Sequence, residues 1–376
     1  MKKRESNKFY SLERILEKEC QYNMIIGERS NGKTYSVEKY IIDEYAKSGK
    51  QGAIIRRYRL DFQGKRGSAM FSPLVENGEI AKATDGEWTG VYYYASQWFF
   101  CRRSEADREK VERAEEPFCY AFALTEMEHD KSTGYPNVTT IMFDEFMSRM
   151  GYVTDEFVLF MNTLSTIIRY RDDVKIFMLG NTVTKDCPYF KEMGLNHIQK
   201  MQQGTIEVYT YGQSKLRVAV ELCGNTNRRQ SKKPSDVYFA FDNPRLQMIT
   251  GTGHVWELGI YPHKPCDFAP KDIKFIYFIR YNDNLLQCEV VIRDKYNFTF
   301  IHPKTTELRS PDKDIIFDTT TSPLFNYNRK LGQGASPIMS RILSYYKDEK
   351  IFFSDNETGE VLRNYLEWCK RASIFN

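Results

Sequence analysis

Residues Gly27 to Thr34 read GERSNGKT: a glycine, four residues of any kind, then Gly-Lys-Thr. This spacing restricts the fold more than any other feature of the chain. Such a loop leaves a buried strand, wraps backbone N–H groups around phosphate oxygens, and enters a helix whose positive end faces the anion. A chain of this length holds the pattern by chance roughly 1% of the time, so the flanks decide. Upstream, Tyr22 to Ile26 is a short apolar run suited to a buried strand. Downstream, Tyr35 to Tyr45 carries apolar residues at helical spacing and stops near Gly49, and Gly52 to Ile55 reads as a second buried strand. Strand, glycine-bearing loop, helix and strand make one βαβ unit of an α/β nucleotide-binding fold. The expected phosphate site is Gly27, Glu28, Arg29, Ser30, Asn31, Gly32, Lys33 and Thr34, with Lys33 on the β/γ-phosphates and the Thr34 hydroxyl on Mg²⁺.

Hydrolysis needs more than a phosphate cradle. Asn137 to Glu145 is a largely β-branched and apolar run that ends in two carboxylates. At the end of such a strand Asp144 suits a metal ligand, and Glu145 suits the base that polarises the attacking water. The next apolar strand, Val174 to Asn181, ends in an amide able to sense the γ-phosphate. Between them, Asp155 to Tyr170 has helical periodicity, with Phe157, Phe160, Met161, Leu164 and Ile168 on one face. Two basic clusters, Arg56-Arg57-Tyr58-Arg59 and Arg169-Tyr170-Arg171, are candidates for the positive charge that completes the site, including a residue facing a neighbour's nucleotide. Spacing alone favours a plain helix-capping role for Arg169.

The rest of the chain bounds the setting. Its 376 residues suit two domains. A formal net charge of +4 rules out a simple polycation, so any nucleic-acid contact must be local. The 8 cysteines have no metal-knuckle spacing and suit reduced thiols in a cytosolic protein. No run approaches the roughly 18 apolar residues of a membrane span, and the start lacks a signal peptide's apolar stretch. The expected layout is an N-terminal arm over residues 1–21 with a helix at Tyr10 to Cys20, and a P-loop domain over 22–205. A linker region over 206–250 and a C-terminal α+β domain over 251–376 follow. Ser104 to Glu116 reads as a charged helix or loop insert, and Asn282-Asp283-Asn284 as a hairpin turn.

The segments YNMIIGERSNGKTYSVEKY, AIIRRYR and GYPNVTTIMFDEF, with IIRYRDDVKIFMLGN and PYF after them, resemble the DNA-packaging (encapsidation) ATPases of small Picovirinae-type tailed bacteriophages. The likeness is strong over roughly 22–59 and 131–190, weaker at the C-terminal end and poor elsewhere. It implies a P-loop NTPase of the ASCE type with a mostly parallel sheet, and a smaller ribonuclease-H-like α+β domain. It implies hydrolysis of ATP with Mg²⁺ to translocate double-stranded DNA into a preformed procapsid. The motor would be a homopentameric ring at the portal vertex, in the host bacterial cytoplasm. Some relatives also dock through a packaging RNA. Residue by residue, Lys33, Thr34, Asp144 and Glu145 match the Walker positions, and Asn181 the sensor. Arg169 matches an arginine finger acting on the adjacent subunit, Lys131 a second basic residue in trans, and Arg59 a basic residue on a channel-facing loop. Lys65 and Arg66, read as a glycine-flanked basic loop, join Arg59 as DNA-phosphate contacts. The segment Lys274 to Arg280, in the place of the first nuclease strand, carries no aspartate, which predicts a non-cleaving domain. A P-loop switch or scaffold without translocation, and an active terminase-type nuclease-ATPase, are the alternatives.

Overall fold

The computed structural model describes residues 10–28, 31–103, 110–129, 134–148, 151–153, 155–181, 187–212, 214–224, 259–282, 284–308, 310–332 and 336–371. These fall into two compact units, the first reaching residue 224 and the second starting at 259. The candidate site residues Arg29, Ser30 and Lys131 lie outside the described residues, as do 225–258, which hold most of the expected linker.

In the first unit, β1 (Tyr22–Gly27) leads through the phosphate loop into α2 (Lys33–Ser48), preceded by the short α1 (Glu13–Leu16). β2 (Gln51–Arg56), three short helices α3 (Lys65–Ala69), α4 (Ser72–Glu76) and α5 (Glu79–Ala83), and four strands follow. Those strands are β3 (Gly90–Tyr94), β4 (Gln97–Arg103), β5 (Val111–Arg113) and β6 (Cys119–Ala123). Then come β7 (Val138–Asp144), α6 (Glu156–Ile168), β8 (Lys175–Asn181), α7 (Pro188–Glu192), β9 (Thr205–Thr210) and β10 (Arg217–Leu222). They form one sheet in the order β3-β4-β6-β2-β7-β8-β1-β10-β9, with β5 on β4. From β6 to β10 every neighbouring pair is parallel.

The central strands are apolar on both faces because both faces are covered. Met24, Ile26, Phe143, Met178 and Val220 join Phe160 and Leu164 of α6 in one core. Ile25, Ile54, Met142, Phe177 and Ala219 join Val37 and Ile41 of α2 in the other. β8 is inserted between β1 and β7, so the three strands that end in Gly27, Asp144 and Asn181 lie side by side. Their carboxyl ends open on one edge, where ligands sit in open α/β sheets.

Several expectations need correction. The sheet extends past residue 206: β10 pairs with β1 and buries Val218 and Val220, and β9 pairs with β10, so Thr205–Thr210 and Arg217–Leu222 are strands of the sheet and not linker. The helix expected over Tyr10 to Cys20 shrinks to four residues, since Glu19 takes a left-handed conformation (φ 50°) before β1. Part of the expected charged insert, Val111–Arg113, adds a strand to β4. Lys65 and Arg66 lie in α3 and not in a loop. Gly67 there is a packing glycine, because a Cβ would come within 2.3 Å of the Tyr93 ring.

The second unit carries β11 (Ile273–Tyr281), β12 (Asn284–Arg293), β13 (Tyr296–Pro303), β14 (Ile315–Asp318) and β15 (Tyr327–Asn328). α8 (Pro337–Lys347), β16 (Ile351–Phe353) and α9 (Asn356–Arg371) complete it. The sheet order is β15-β14-β11-β12-β13-β16. β11, β12 and β13 are antiparallel neighbours, while β14 and β15 run parallel to β11 on its other side. Ile342 and Tyr345 of α8 and Leu362 and Tyr365 of α9 close the core over Tyr277, Ile279 and Cys288. The antiparallel turn between β11 and β12 falls at Asn282 (φ 51°); Asp283 is outside the described residues.

Candidate nucleotide site

Lys33 opens α2 directly after the left-handed Gly32 (φ 93°) and is only 6% exposed. Its ammonium is surrounded by acceptors: the carbonyls of Gly27 at 3.2 Å and Glu28 at 2.7 Å, Asn31 Oδ1 at 3.1 Å and Asn181 Oδ1 at 3.4 Å. Asn31 Oδ1 also accepts the Lys33 backbone N–H at 3.2 Å. Burial lowers the Lys33 pKa to about 8, against the pull of the Asp144 and Glu28 charges. A buried cation held by neutral oxygens in this way is poised for an anionic ligand.

The Thr34 hydroxyl donates to Asp144 Oδ1 at 3.3 Å, so the two residues expected to hold Mg²⁺ meet across 110 positions of sequence. Asp144 is 4% exposed, and its other oxygen, Oδ2, accepts from the Arg56 guanidinium. Burial lowers the Arg56 pKa, but the charges of Asp144 and Glu145 outweigh it and raise the net value. A hydroxyl and a buried carboxylate, with a guanidinium standing in for a cation, fit a hard divalent ion with oxygen ligands. Glu38 lies one helical turn beyond Thr34 and is also buried. Burial first, then the Asp144 charge, push its pKa well above the usual carboxylate range, although Arg56 opposes them.

Glu145 follows Asp144 in a left-handed conformation (φ 58°), with an exposed side chain. Asn181 ends β8 directly opposite Gly27. Thus Lys33, Thr34, Asp144 and Asn181 converge on one point, and Glu145 sits at its rim. Arg169 is elsewhere: exposed at the C-cap of α6, with φ 53° and ψ −121°. With the Arg171 N–H bonded to the Ile168 carbonyl at 3.2 Å, these angles describe a type II′ turn, which normally favours glycine at that position.

The tandem arginines after β2 are not free to serve a neighbour. Arg56 engages Asp144, and Arg57 turns inward to Glu156. Arg59, exposed in a short 3₁₀ turn, pairs with Glu126 at 3.4 Å, and Arg66 donates to the Leu60 carbonyl at 3.1 Å. Sequence reasoning missed three participants. Glu38 was detectable, since it lies at i+4 from Thr34 on the same helical face. Tyr10 and Cys223 were not, because distant segments bring them in. The Tyr10 N–H donates to the Asn31 carbonyl at 2.9 Å, and its hydroxyl to Glu221 Oε2 at 2.7 Å.

Comparison with known proteins accords with this geometry. The family described as "Podovirus DNA encapsidation protein (Gp16)" matches residues 4–80 and 114–211. The DNA packaging protein of Bacillus phage phi29 is 28% identical over 191 residues, 48% of this chain and 49% of that protein. That of Bacillus phage B103 is 28% identical over 176 residues, 46% and 48% of the two chains. The chain thus spans about half the length of the curated relatives it matches. Among solved structures, a chain of the bacteriophage Phi-29 viral genome packaging motor assembly is similar over 97% of this chain and 99% of its own. Its TM-score is 0.52 at 20% identity, a likeness of fold. Within its first unit, this chain is similar to the podovirus DNA encapsidation proteins.

Proposed function

We propose that this protein is an ATP-driven motor that translocates double-stranded viral DNA into a preformed procapsid, as a homo-oligomeric ring at the portal vertex. The observation that carries the reading is the convergence of Lys33, Thr34, Asp144 and Asn181 at the carboxyl edge of three adjacent strands. The strand order, with β8 between the P-loop strand and the carboxylate strand, supports an ASCE-type ATPase. The names of the relatives, DNA packaging proteins of Bacillus phages, support the choice of DNA packaging over a P-loop switch.

In this reading the γ-phosphate oxygens take over the Lys33 ammonium from the loop carbonyls, and Asn181 orients them. Thr34 and Asp144 would hold Mg²⁺, which would neutralise phosphate charge. Arg56 engages the Oδ2 oxygen of Asp144 and leaves Oδ1, beside the Thr34 hydroxyl, as the oxygen that would face the metal. Glu145 accepts the proton of the attacking water. Arg169, presented on its strained turn, and Lys131 supply positive charge to the adjacent subunit, and a finger of this kind is worth roughly 10³–10⁵ in rate. Arg59, Lys65 and Arg66 contact DNA phosphates, without sequence preference. A packaging RNA remains a candidate partner. The working location is the host cytoplasm; among the described residues no helix is long and apolar enough to cross a membrane.

For the second unit we favour a ribonuclease-H-like domain without nuclease activity. Three antiparallel strands followed by two strands parallel to the first support the fold. Arg280 of β11 stands opposite Asp318 of β14 and pairs with it at 3.2 Å, so a cation of the chain neutralises the buried carboxylate.

The test is DNase-protected DNA in procapsids supplied with the full chain and ATP. Glu145→Gln should keep nucleotide binding and lose both turnover and protection. Wild-type turnover by Glu145→Gln would sink the assignment. Recovery of activity only on mixing Arg169→Ala with Glu145→Gln subunits is the outcome expected for action in trans.

A further inference from the structure

We infer that Arg57, clamped by Glu156, is the positioning residue that holds Glu145 for catalysis; the inference rests on the proposed role of Glu145 as base. Arg57 is 8% exposed and Glu156 is 3% exposed. Arg57 Nε donates to Glu156 Oε2 at 2.9 Å, and a terminal nitrogen lies 2.8 Å from Oε1, a bidentate fork. The two terminal nitrogens also reach past the carboxylate and donate to the backbone carbonyls of Glu145 and Phe146. The guanidinium therefore ties together the exit of β2, the first residue of α6 and the two residues that follow Asp144.

The neighbours leave this group little freedom. It lies 5.1 Å from the Tyr152 ring centroid and 5.8 Å from that of Phe143. Glu156 is itself held by the Val153 N–H at 2.8 Å and the Tyr189 hydroxyl at 2.9 Å. Burial, and then the Glu156 charge, push the Tyr189 pKa upward, so its hydroxyl stays a donor. Phe146 is further pinned by its N–H on the Leu179 carbonyl at 3.1 Å.

This clamp explains an otherwise costly backbone. Glu145 has φ 58°, a region that a β-carbon disfavours and that persists only when surroundings over-determine it. Two carbonyls fixed by one buried, bidentate guanidinium provide that determination and aim the Glu145 side chain at the rim of the site. The polar partners of Arg57 are the Glu156 carboxylate and the Glu145 and Phe146 carbonyls, so it acts through Glu145. Because α6 begins at Glu156 and ends at the Arg169 cap, the same clamp ties the base to the helix that presents the proposed finger.

The test uses the full chain, comparing Arg57→Lys, Glu145→Gln and the double variant for ATP turnover and for affinity toward a fluorescent ADP. Lysine keeps the charge but cannot reproduce the planar fork. A base displaced by about an ångström predicts a kcat loss of roughly 10²-fold with nucleotide affinity nearly unchanged. Arg57→Lys should add almost nothing to the loss already caused by Glu145→Gln. Unchanged kcat in Arg57→Lys, while Glu145→Gln is inactive, overturns the inference and leaves the base assignment standing. An equal further loss on the Glu145→Gln background overturns it too, because Arg57 then acts independently. A fully active Glu145→Gln removes the base assignment and the inference with it. Should Arg57→Lys not fold, Tyr189→Phe, which removes one hydrogen bond from Glu156, carries the test. Reduced kcat at unchanged affinity supports the clamp, and wild-type kcat overturns it.

Discussion

Adding one methyl group at Gly27 tests whether the first glycine of the phosphate loop is required by packing. A Cβ built there would lie 2.7 Å from Cys223 Cβ, 3.1 Å from Cys223 Sγ and 3.0 Å from Asn31 Nδ2. Carbon atoms do not approach to 2.7 Å, so about an ångström of movement is needed. Neither side yields easily. Gly27 is paired opposite Asn181 on β8, and the Cys223 N–H is bonded to the Ile26 carbonyl at 2.7 Å. Overpacking of this kind costs about 1–3 kcal/mol, and for a unit of this size each kcal/mol lowers Tm by roughly 2–4 °C. Gly27→Ala should therefore melt a few degrees early. It should also bind nucleotide more weakly, because the clash pushes Asn31, whose Oδ1 accepts from both nitrogens of Lys33. Cys223→Gly removes the opposing Cβ, so in that background Gly27→Ala should cost less than about 0.5 kcal/mol. The double-mutant cycle, read by thermal melting and fluorescent-ADP titration, measures the coupling. A wild-type Tm for Gly27→Ala, or the same penalty with and without Cys223, refutes the reasoning.

Two further outcomes follow from the charges. Lys33 has a folded-state pKa of about 8 against an ordinary 10.5. Nucleotide affinity should be flat below pH 8 and fall about tenfold per pH unit above it. The unfolded chain holds this proton more tightly than the folded one, so the Lys33 contribution to stability rises as pH goes from about 8 to 10.5. The Cys223 thiol, raised to about 12 by burial, stays protonated through that window. Lys33→Arg should abolish the pH dependence of binding, and calorimetry across roughly pH 7–10 reads it. For DNA, replacing Arg59, Lys65 or Arg66 by Ala should make the slope of log K against log salt shallower by about 0.9 for each phosphate that the side chain had neutralised. A residue whose removal leaves the slope unchanged in filter binding is not at the interface.

Local pattern carried much of the fold. The apolar runs of β1, β2, β7 and β8 and the 3.6-residue face of α6 are periodic signals, and they name the core of the first unit because strands covered on both sides must be apolar throughout. Phe160 and Leu164 are buried as that face requires, with Phe157, Met161 and Ile168 packed against them. Polar, broken stretches concealed structure. β9 and β10 carry charged residues among their apolar ones, and only the pairing of β10 with β1 makes Val218 and Val220 core. Gly64-Lys65-Arg66-Gly67 read as a glycine-flanked basic loop, whereas Gly67 is glycine because Tyr93 lies against it.

The site divides along the same line. The order Gly27 to Thr34, the Asp144-Glu145 pair and the strand-ending Asn181 are local chemistry at fixed spacing, so the chain alone determines which groups are available. It also determines that they end parallel strands, since their apolar runs allow little else. Which cation meets which anion was decided by tertiary structure. Arg56 and Arg57 are adjacent in a strand exit, and alternation sends them to different partners: Arg56 to Asp144 and Arg57 to Glu156. Neither partner is visible from β2, because each comes from a segment about 90–100 positions away. Desolvation is likewise a property of the packed state. Lys33 loses part of its basicity because β1, β8, β10 and the loop close around it, and a sequence cannot express that enclosure.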